Sequence, residues 1–351
     1  MKILCIGDLW LGSTALQRIN TIHEIYGCDQ IDSTVRLQSR TLKYLNWALE
    51  KLGLHPDFNN VNKNILLKIT QKNYDVIWVE KGLRIYPWTL KKIRTAQPDC
   101  KIISSSPDDM FNPLNQSKWY IKSIPLFDLH ITTKSYNVDE LKQLGARDVL
   151  FVDKAYDPKV HRIIRLTEEE QLKFGCDVGF IGSWERDRFD HILYLAQQGI
   201  KVVVRGVTWK KYKHTHPNLI VVSQNEWADE YAKVINGTKI NLCFLKKLNR
   251  DLQTARSIEI PACGGFMIAE RTVEHQKLFV ENREAVFFSN REELLQQVKY
   301  YLTHENEREE IARNGYLKCI EAGYSNANML KKIFSYLLKV NHAKGQVAYQ
   351  G

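Results

Sequence analysis

The sequence predicts an α/β protein of two domains, each built on a parallel β-sheet covered by helices on both faces. Three observations carry this expectation. At 351 residues the chain is longer than one ordinary hydrophobic core supports. Short apolar runs alternate with helical patterns through the first half, the signature of a sheet buried on both sides. A strand that opens into a glycine turn and then a helix occurs twice, at Gly7 and at Gly182.

Taken in order, Lys2 to Ile6 reads as the first buried strand. The loop GDLWLGST follows, where an open α/β sheet binds its ligands, so Asp8 is a candidate site residue. The spacing of Gly7 and Gly12 is not GxGxxG, and its phosphate signal is weak. Ser13 to Ile25 and Thr34 to Leu52 read as helices, the second closed by Gly53, and Asn64 to Gln71 as a third. Val76 to Val79 is a strand ending in charged residues and Gly82; Pro87 to Ala96 is a helix and Lys101 to Ser104 a strand. Asp108 and Asp109 then follow Pro107 at a strand's carboxyl end, placed for a general base or an acceptor-orienting carboxylate. An Asp-rich turn or helix cap is the rival reading for both. Phe127 to Thr132 and Asp148 to Val152 are strands around a helix over Val138 to Leu144.

The segment KAYDPKVHRIIRLTEEEQ breaks the alternation and reads as a linker, with His161 most simply a surface or hinge residue and a ligand contact the rival reading. The boundaries expected are a first domain over 1–155, a linker over 156–176, a second domain over 177–324, and a C-terminal helix with its tail over 325–351. DVGFIG opens the second domain. Gly182 permits close backbone approach beside Ser183, and Arg186 or Arg188 could reach a diphosphate; a solvated helix start is the rival for each arginine. KVVVRG is a strand ending at Arg205. Further strands at Leu219 to Val222, KINLCFL, FMIA and AVFF alternate with helices at Phe189 to Gln198, Asn225 to Asn236, Asn290 to His304, Glu305 to Gly315 and Asn326 to Val340. The tail KGQVAYQG is expected to fray.

The densest set of candidate residues is Asp251 to Glu270. Asp251 can cap a short helix, and Pro261 should end or kink it by removing a backbone donor. Gln253, Thr254 and Arg256 then lie at a helix start, near Glu259 and the bare pair Gly264–Gly265. Free N–H groups and a guanidinium attract phosphate, and a carboxylate one turn on can accept from ribose hydroxyls. The plainer alternative is an i,i+3 ion pair of Arg256 with Glu259 on a solvated face.

Composition narrows the class. Apolar content of 44% and charged content of 26% are those of a globular chain. No apolar run is long enough to span a membrane, and the N-terminus lacks the pattern of a signal peptide. Seven scattered cysteines without a CxxC read as reduced thiols of a cytoplasmic protein rather than disulfides or a zinc site. A formal charge of +10 favours anionic partners, but no nucleic-acid module is present.

DVGFIGSW, TARSIEIPACGGFMIAERT, LFVENREAVFFSNREELLQQVKYYL and EREEIARNGY resemble the CgeB or spore-maturation-type glycosyltransferases of the group 1 superfamily, as do FDLHITTKS, GARDVLFV and AYDPKVH in the first half. The resemblance implies the GT-B architecture, two Rossmann-like domains facing across a cleft. The nucleotide sugar would be held by the second domain and the acceptor by the first, with the C-terminal helix (Leu330, Ile333, Phe334, Leu337, Leu338) returning to the first domain or packing on the second. Group 1 transferases often carry two glutamates separated by seven residues. Glu259 matches the second, the ribose clamp, while Asp251 replaces the first, near the donor sugar, and has a shorter reach. Thr254 and Arg256 fall where such enzymes contact the diphosphate.

The function expected is transfer of a sugar from a nucleoside diphosphate sugar to a hydroxyl acceptor (a glycan, protein or lipid-linked group), without a metal and without a further cofactor. Glu259 would bind ribose, Arg256, Thr254, Ser183 and Gly182 with Arg186 and Arg205 the diphosphate, and Asp251 or Gln253 the sugar. Asp8, Asp108 and Asp109 would serve the acceptor or base. Retention, to which the kinship points, and inversion both stay open. The alternatives are a non-catalytic nucleotide-sugar-binding protein of a surface or spore layer and, on charge alone, a nucleic-acid binder. Peripheral contact with anionic lipid is a further expectation.

Overall fold

The computed structural model describes residues 1–113 and 115–347, with side chains through 338; the last four residues of the tail, 348–351, lie outside the described residues. The chain divides into two compact units, Met1–Asp153 and Lys154–Gly351.

The first unit is a six-stranded sheet in which every pairing is parallel. Its strands are β1 (Ile3–Gly7), β2 (Asp29–Asp32), β3 (Val76–Glu80), β4 (Lys101–Ser106), β5 (Leu129–Thr132) and β6 (Val149–Phe151), in the order β2-β1-β3-β4-β5-β6. ILCIG and VIWVE are buried along their whole length, as strands covered on both faces must be. The order reverses between β1 and β3, so the crevice at their carboxyl ends is the expected ligand position. β2 carries an Asp-Gln-Ile-Asp sequence with one buried residue, too polar to stand out as a strand. The helix expected from Thr34 begins only at Arg40, where Ser39 accepts from Leu42 N–H and caps it.

The second unit is also six-stranded and parallel: β7 (Cys176–Ile181), β8 (Val202–Arg205), β9 (Leu219–Val222), β10 (Thr238–Cys243), β11 (Met267–Glu270) and β12 (Val286–Phe288), in the order β12-β11-β10-β7-β8-β9. This is the doubly wound order, reversing between β7 and β10. Side chains alternate between two cores. Leu242, Phe244, Val286 and Phe288 enter one, while Cys243, Met267, Ala269 and Phe287 enter the other. All seven cysteines are free thiols.

The segment expected to be a linker has structure of its own. Tyr156 bridges to Ser325, and Thr167 and Glu170 form a reciprocal capping box on the helix Glu168–Phe174. Its charge run is a helix start, with three glutamates at the end that favours them. In the C-terminal helix Asn326–Val347, Leu330, Ile333 and Phe334 are buried and Leu338 is exposed. No helix among the described residues is long and apolar enough to cross a membrane.

One buried histidine gives the first unit a pH dependence. His130 on β5 lies between Tyr120 and Phe127, donates from Nε2 to the Ile124 carbonyl at 3.0 Å, and has no partner at Nδ1. Burial pushes its pKa down to about 4, with the Ile124 hydrogen bond opposing. The unfolded chain therefore takes up the proton first, from about pH 6.5, and the stability held above that pH is lost as the pH falls toward 4. The loss at pH 4 is about 3 kcal/mol. Urea unfolding at pH 7 and pH 4 should show a smaller loss for His130→Phe than for the wild type; equal losses would refute this assignment.

Candidate active site

In the second unit the site is built where the strand order reverses. Gly182 follows β7 with φ 153, a conformation that disfavours side chains, and a Cβ there would stand 3.0 Å from both Arg256 Nη1 and Phe180 Cζ. Its N–H donates to the Arg205 carbonyl and its carbonyl accepts from Trp209 Nε1 at 2.9 Å. The turn is thus fixed through both main-chain groups of Gly182, one bonded to the main chain and one to an indole, before any ligand arrives.

Two guanidiniums meet beside this turn. Arg256 lies 5.4 Å and Arg188 5.6 Å from the centroid of the Phe180 ring. Both also reach the loop after β10: Arg188 Nε donates to the Leu245 carbonyl at 3.1 Å, and Arg256 Nη2 to the Phe244 carbonyl at 3.5 Å. Arg188 Nη1 donates to the Ser183 carbonyl and hydroxyl. The nearest carboxylate to Arg188 is Glu185 at 4.0 Å. Among the described residues Arg256 has no carboxylate within ion-pair distance, and its Nε is buried without a hydrogen-bond partner. Burial, then the charge of Arg256, holds the Arg188 pKa down to about 10, which still leaves it cationic near neutral pH.

One turn after Arg256, Glu259 is buried and does not pair with it. Tyr231 donates its hydroxyl to Glu259 Oε2 at 2.6 Å, and His161 Nε2 stands 3.5 Å from Oε1. The Asp157 N–H donates to His161 Nδ1 at 3.1 Å, so the ring's proton lies on Nε2, facing Glu259. His161 is therefore not the surface or hinge residue expected; it is buried against Tyr231, ring centroids 5.4 Å apart. Burial, followed by the Glu259 charge, raises the Tyr231 pKa well above its ordinary value, so it remains a donor.

The helix differs from the sequence expectation. It spans Arg256–Ala262, and its N-cap is Ala255, not Asp251. Asp251 instead ties the preceding loop together: it accepts from Lys246 N–H at 3.2 Å and from Asn249 Nδ2 at 2.7 Å. Gln253 Oε1 accepts from Lys154 N–H at 2.9 Å, and Thr254 N–H donates to Ser257 Oγ at 3.0 Å. That hydroxyl in turn meets His275 Nε2 at 2.7 Å; burial, opposed by the bond to the Glu270 carbonyl, lowers the His275 pKa and keeps the ring neutral. The N–H groups of Gly264 and Gly265 are not free. They donate to the carbonyls of Pro261 and Ile260, a Schellman closure that ends the helix just past its proline. A Cβ on Gly265 would stand 2.6 Å from Ile235 Cγ2, so the second glycine serves close packing.

Two expected phosphate contacts are used elsewhere. Arg186 is exposed and pairs with Asp190 at 2.9 Å, the helix-surface reading; Arg188, two residues on, faces Phe180. Arg205 is buried, 3.0 Å from Glu226 and donating to the Lys173 carbonyl, because a buried cation needs a buried anion.

In the first unit the carboxyl ends of β1, β3 and β4 carry Asp8, Lys81 and Asp108. Lys81 takes φ 59 immediately after β3 and pairs with Asp108 at 2.5 Å. Burial opposes the ammonium, but the charge and hydrogen bond of Asp108, with the charge of Asp8, carry its pKa up. Asp8 accepts from Ser33 Oγ at 2.7 Å. Beneath them Arg18 and Glu80 form a two-point pair at 2.9 and 2.7 Å. Asp109 is buried and spends its Oδ1 on Phe111 N–H and Asn137 Nδ2, which is the turn-forming reading. The sequence reading passed over Lys81 and Tyr231; the only trace of Lys81 was the charged end of its strand.

Similar solved structures share this architecture across almost their whole length. Sucrose-phosphate synthase from Thermosynechococcus elongatus is 12% identical, with 97% of this chain and 100% of that chain covered and a TM-score of 0.68. HepE of Anabaena, in complex with UDP-glucose, is 12% identical at the same coverage, with a TM-score of 0.66. A putative UDP-N-acetylglucosamine 2-epimerase from Listeria monocytogenes is 10% identical, with 97% of each chain covered and a TM-score of 0.55. Residues 186–335 match the family described as Glycosyl transferase-like. The fold is GT-B, and residues 186–335 are glycosyltransferase-like. The glycosyltransferase-like match begins at Arg186, so it takes in Arg188, Arg256 and Glu259 but not Phe180, Gly182 or His161. No curated protein matches the chain in sequence.

Tyr231→Phe removes the short bond to a buried carboxylate. It should destabilise the second unit by about 1–3 kcal/mol, a fall of several degrees in its melting temperature. Unchanged melting would mean that Glu259 does not depend on Tyr231.

Proposed function

We propose that this chain, of the CgeB or spore-maturation type, transfers a sugar from a nucleoside diphosphate sugar to a hydroxyl acceptor without a metal. One observation carries the reading: Arg188 and Arg256 share the Phe180 ring at the reversal of the second sheet, with, among the described residues, a single carboxylate 4.0 Å from one of them. Such a pair has charge left over for a dianionic ligand. In glycosyl transfer the bond from the anomeric carbon to the diphosphate breaks, and negative charge builds on the leaving oxygens. Fixed guanidiniums stabilise that charge without reorganising.

The diphosphate is assigned to Arg256, Arg188 and the Gly182–Ser183 turn, with Thr254 beside them. The ribose is assigned to Glu259, whose two oxygens each keep a lone pair after Tyr231 and His161 are served. Asp251 and Gln253, both tied into their loop, position the sugar end through that loop. On the acceptor side the hydroxyl and its base are assigned to Asp8 and Asp108 of the first unit, with Lys81 paired to Asp108. The complex of HepE with UDP-glucose makes a uridine donor the first to try.

The test is calorimetric binding of nucleoside diphosphates, followed by release of nucleoside diphosphate from its sugar. Arg256→Ala and Glu259→Ala should each weaken nucleotide binding by roughly tenfold or more, the cost of one charge-assisted hydrogen bond. The wild type should release the diphosphate in the presence of a hydroxyl acceptor. Binding that neither variant changes would refute the site. Tight binding without release, whatever acceptor is supplied, would make the chain a non-catalytic nucleotide-sugar binder. Interconversion of the free nucleotide sugar would place it with the epimerase.

A further inference from the structure

The helix Arg40–Lys51 buries none of its 12 residues, yet its sequence, RTLKYLNWALEK, is not that of a helix made for water. Tyr44 is 69% exposed and Trp47 53%, with Leu42 and Leu45 also open to solvent. The two rings lie 5.6 Å apart, and the Lys51 ammonium stands 5.7 Å from the centre of the Trp47 ring. Large apolar side chains grouped on one exposed helix mark a contact surface.

The charge of the helix is one-sided. Its single carboxylate, Glu50, is taken by Arg84 at 2.5 Å, which fastens the helix to the body of the first unit. Arg40, Lys43 and Lys51 remain, and among the described residues none of them has a carboxylate within ion-pairing distance. The surface continues past the helix end. Leu52 is 63% exposed, the Gly53 carbonyl accepts from Lys118 N–H, and Trp119, beside Lys118, meets the half-exposed Trp88 edge-on at 5.6 Å.

The geometry points to this face as a docking surface for an anionic lipid bilayer. Aromatic rings with an apolar body suit the boundary between headgroups and acyl chains. Lysine and arginine stems can lie along the same apolar layer while their charges reach lipid phosphates. Charge complementarity selects the partner: unmatched cations on a chain of net charge +10 gain most from a surface of fixed negative charge. The helix is too short to span a bilayer, so the contact is peripheral. This inference stands apart from the proposed transfer reaction, because none of its residues belongs to the candidate site.

The test is co-sedimentation of the full chain with vesicles of phosphatidylcholine alone and of phosphatidylcholine mixed with phosphatidylserine. The wild type should bind the mixed vesicles, leave the neutral ones largely in solution, and be released as salt rises. Tyr44→Ser with Trp47→Ser should weaken binding to the mixed vesicles by roughly tenfold. Lys43→Glu with Lys51→Glu should abolish the preference for phosphatidylserine. Because all four side chains are exposed, both variants should melt and bind nucleotide as the wild type does. Failure of the wild type to bind the mixed vesicles, or variants that bind as it does, would overturn the inference. So would a wild-type dimer that the variants dissociate while vesicle binding stays the same, since the face would then join two copies of the chain.

Discussion

Like charge held at one point is the constraint on which the second unit's site depends. Arg188 and Arg256 are packed against Phe180, and the charge of Arg256 helps to hold down the Arg188 pKa. Ring contact offsets part of that repulsion, about 0.5–2 kcal/mol for each cation over an aromatic face. The main-chain carbonyls of Ser183, Phe244 and Leu245 accept from the guanidiniums but carry no full charge. An anion bound there would gain what the fold leaves unbalanced. Each neighbouring choice follows from this: glycine at 182, where a Cβ would press on Arg256, and Arg186 and Arg205 directed to partners of their own.

The first unit handles charge in the opposite way. Arg18 is matched by Glu80 through two hydrogen bonds and Lys81 by Asp108, so among the described residues no cation is left over there, and Asp8 adds a carboxylate. Such an arrangement suits orienting a neutral, polar group rather than neutralising a diphosphate. The two units share a parallel architecture and a reversal of strand order, yet one crevice has its cations paired with carboxylates and the other does not. Fold alone does not set function; here the difference lies in which side chains end the strands.

Much of the fold was legible in the sequence because parallel strands buried on both faces announce themselves as continuous apolar runs. ILCIG, VIWVE and VVVR stand out for that reason, and the helix Pro87–Ala96 was read to the residue, its start set by a proline in the first turn. β2 was missed because its residues are mostly polar, and the capping box at Thr167 was hidden in what looked like a charged linker. Asp251 was misread as a helix cap because Asp before an apolar run is a common start signal. In the fold its carboxylate is nearer to Lys246 and Asn249, and the helix begins after it.

The sequence by itself determined the two-domain α/β class, the position of the glycine turn at 182, and the local spacing that sets Glu259 one helical turn beyond Arg256. These follow from periodicity and from backbone geometry, which are local properties. Tertiary structure alone decided which arginine faces Phe180, that His161 and Tyr231 hold Glu259 from segments far away in the chain, and that the helix Arg40–Lys51 keeps its aromatic residues in the open. The physical reason is the same in each case. A charged or aromatic side chain is placed by the partner it finds in space, and sequence separation carries no information about where that partner will be.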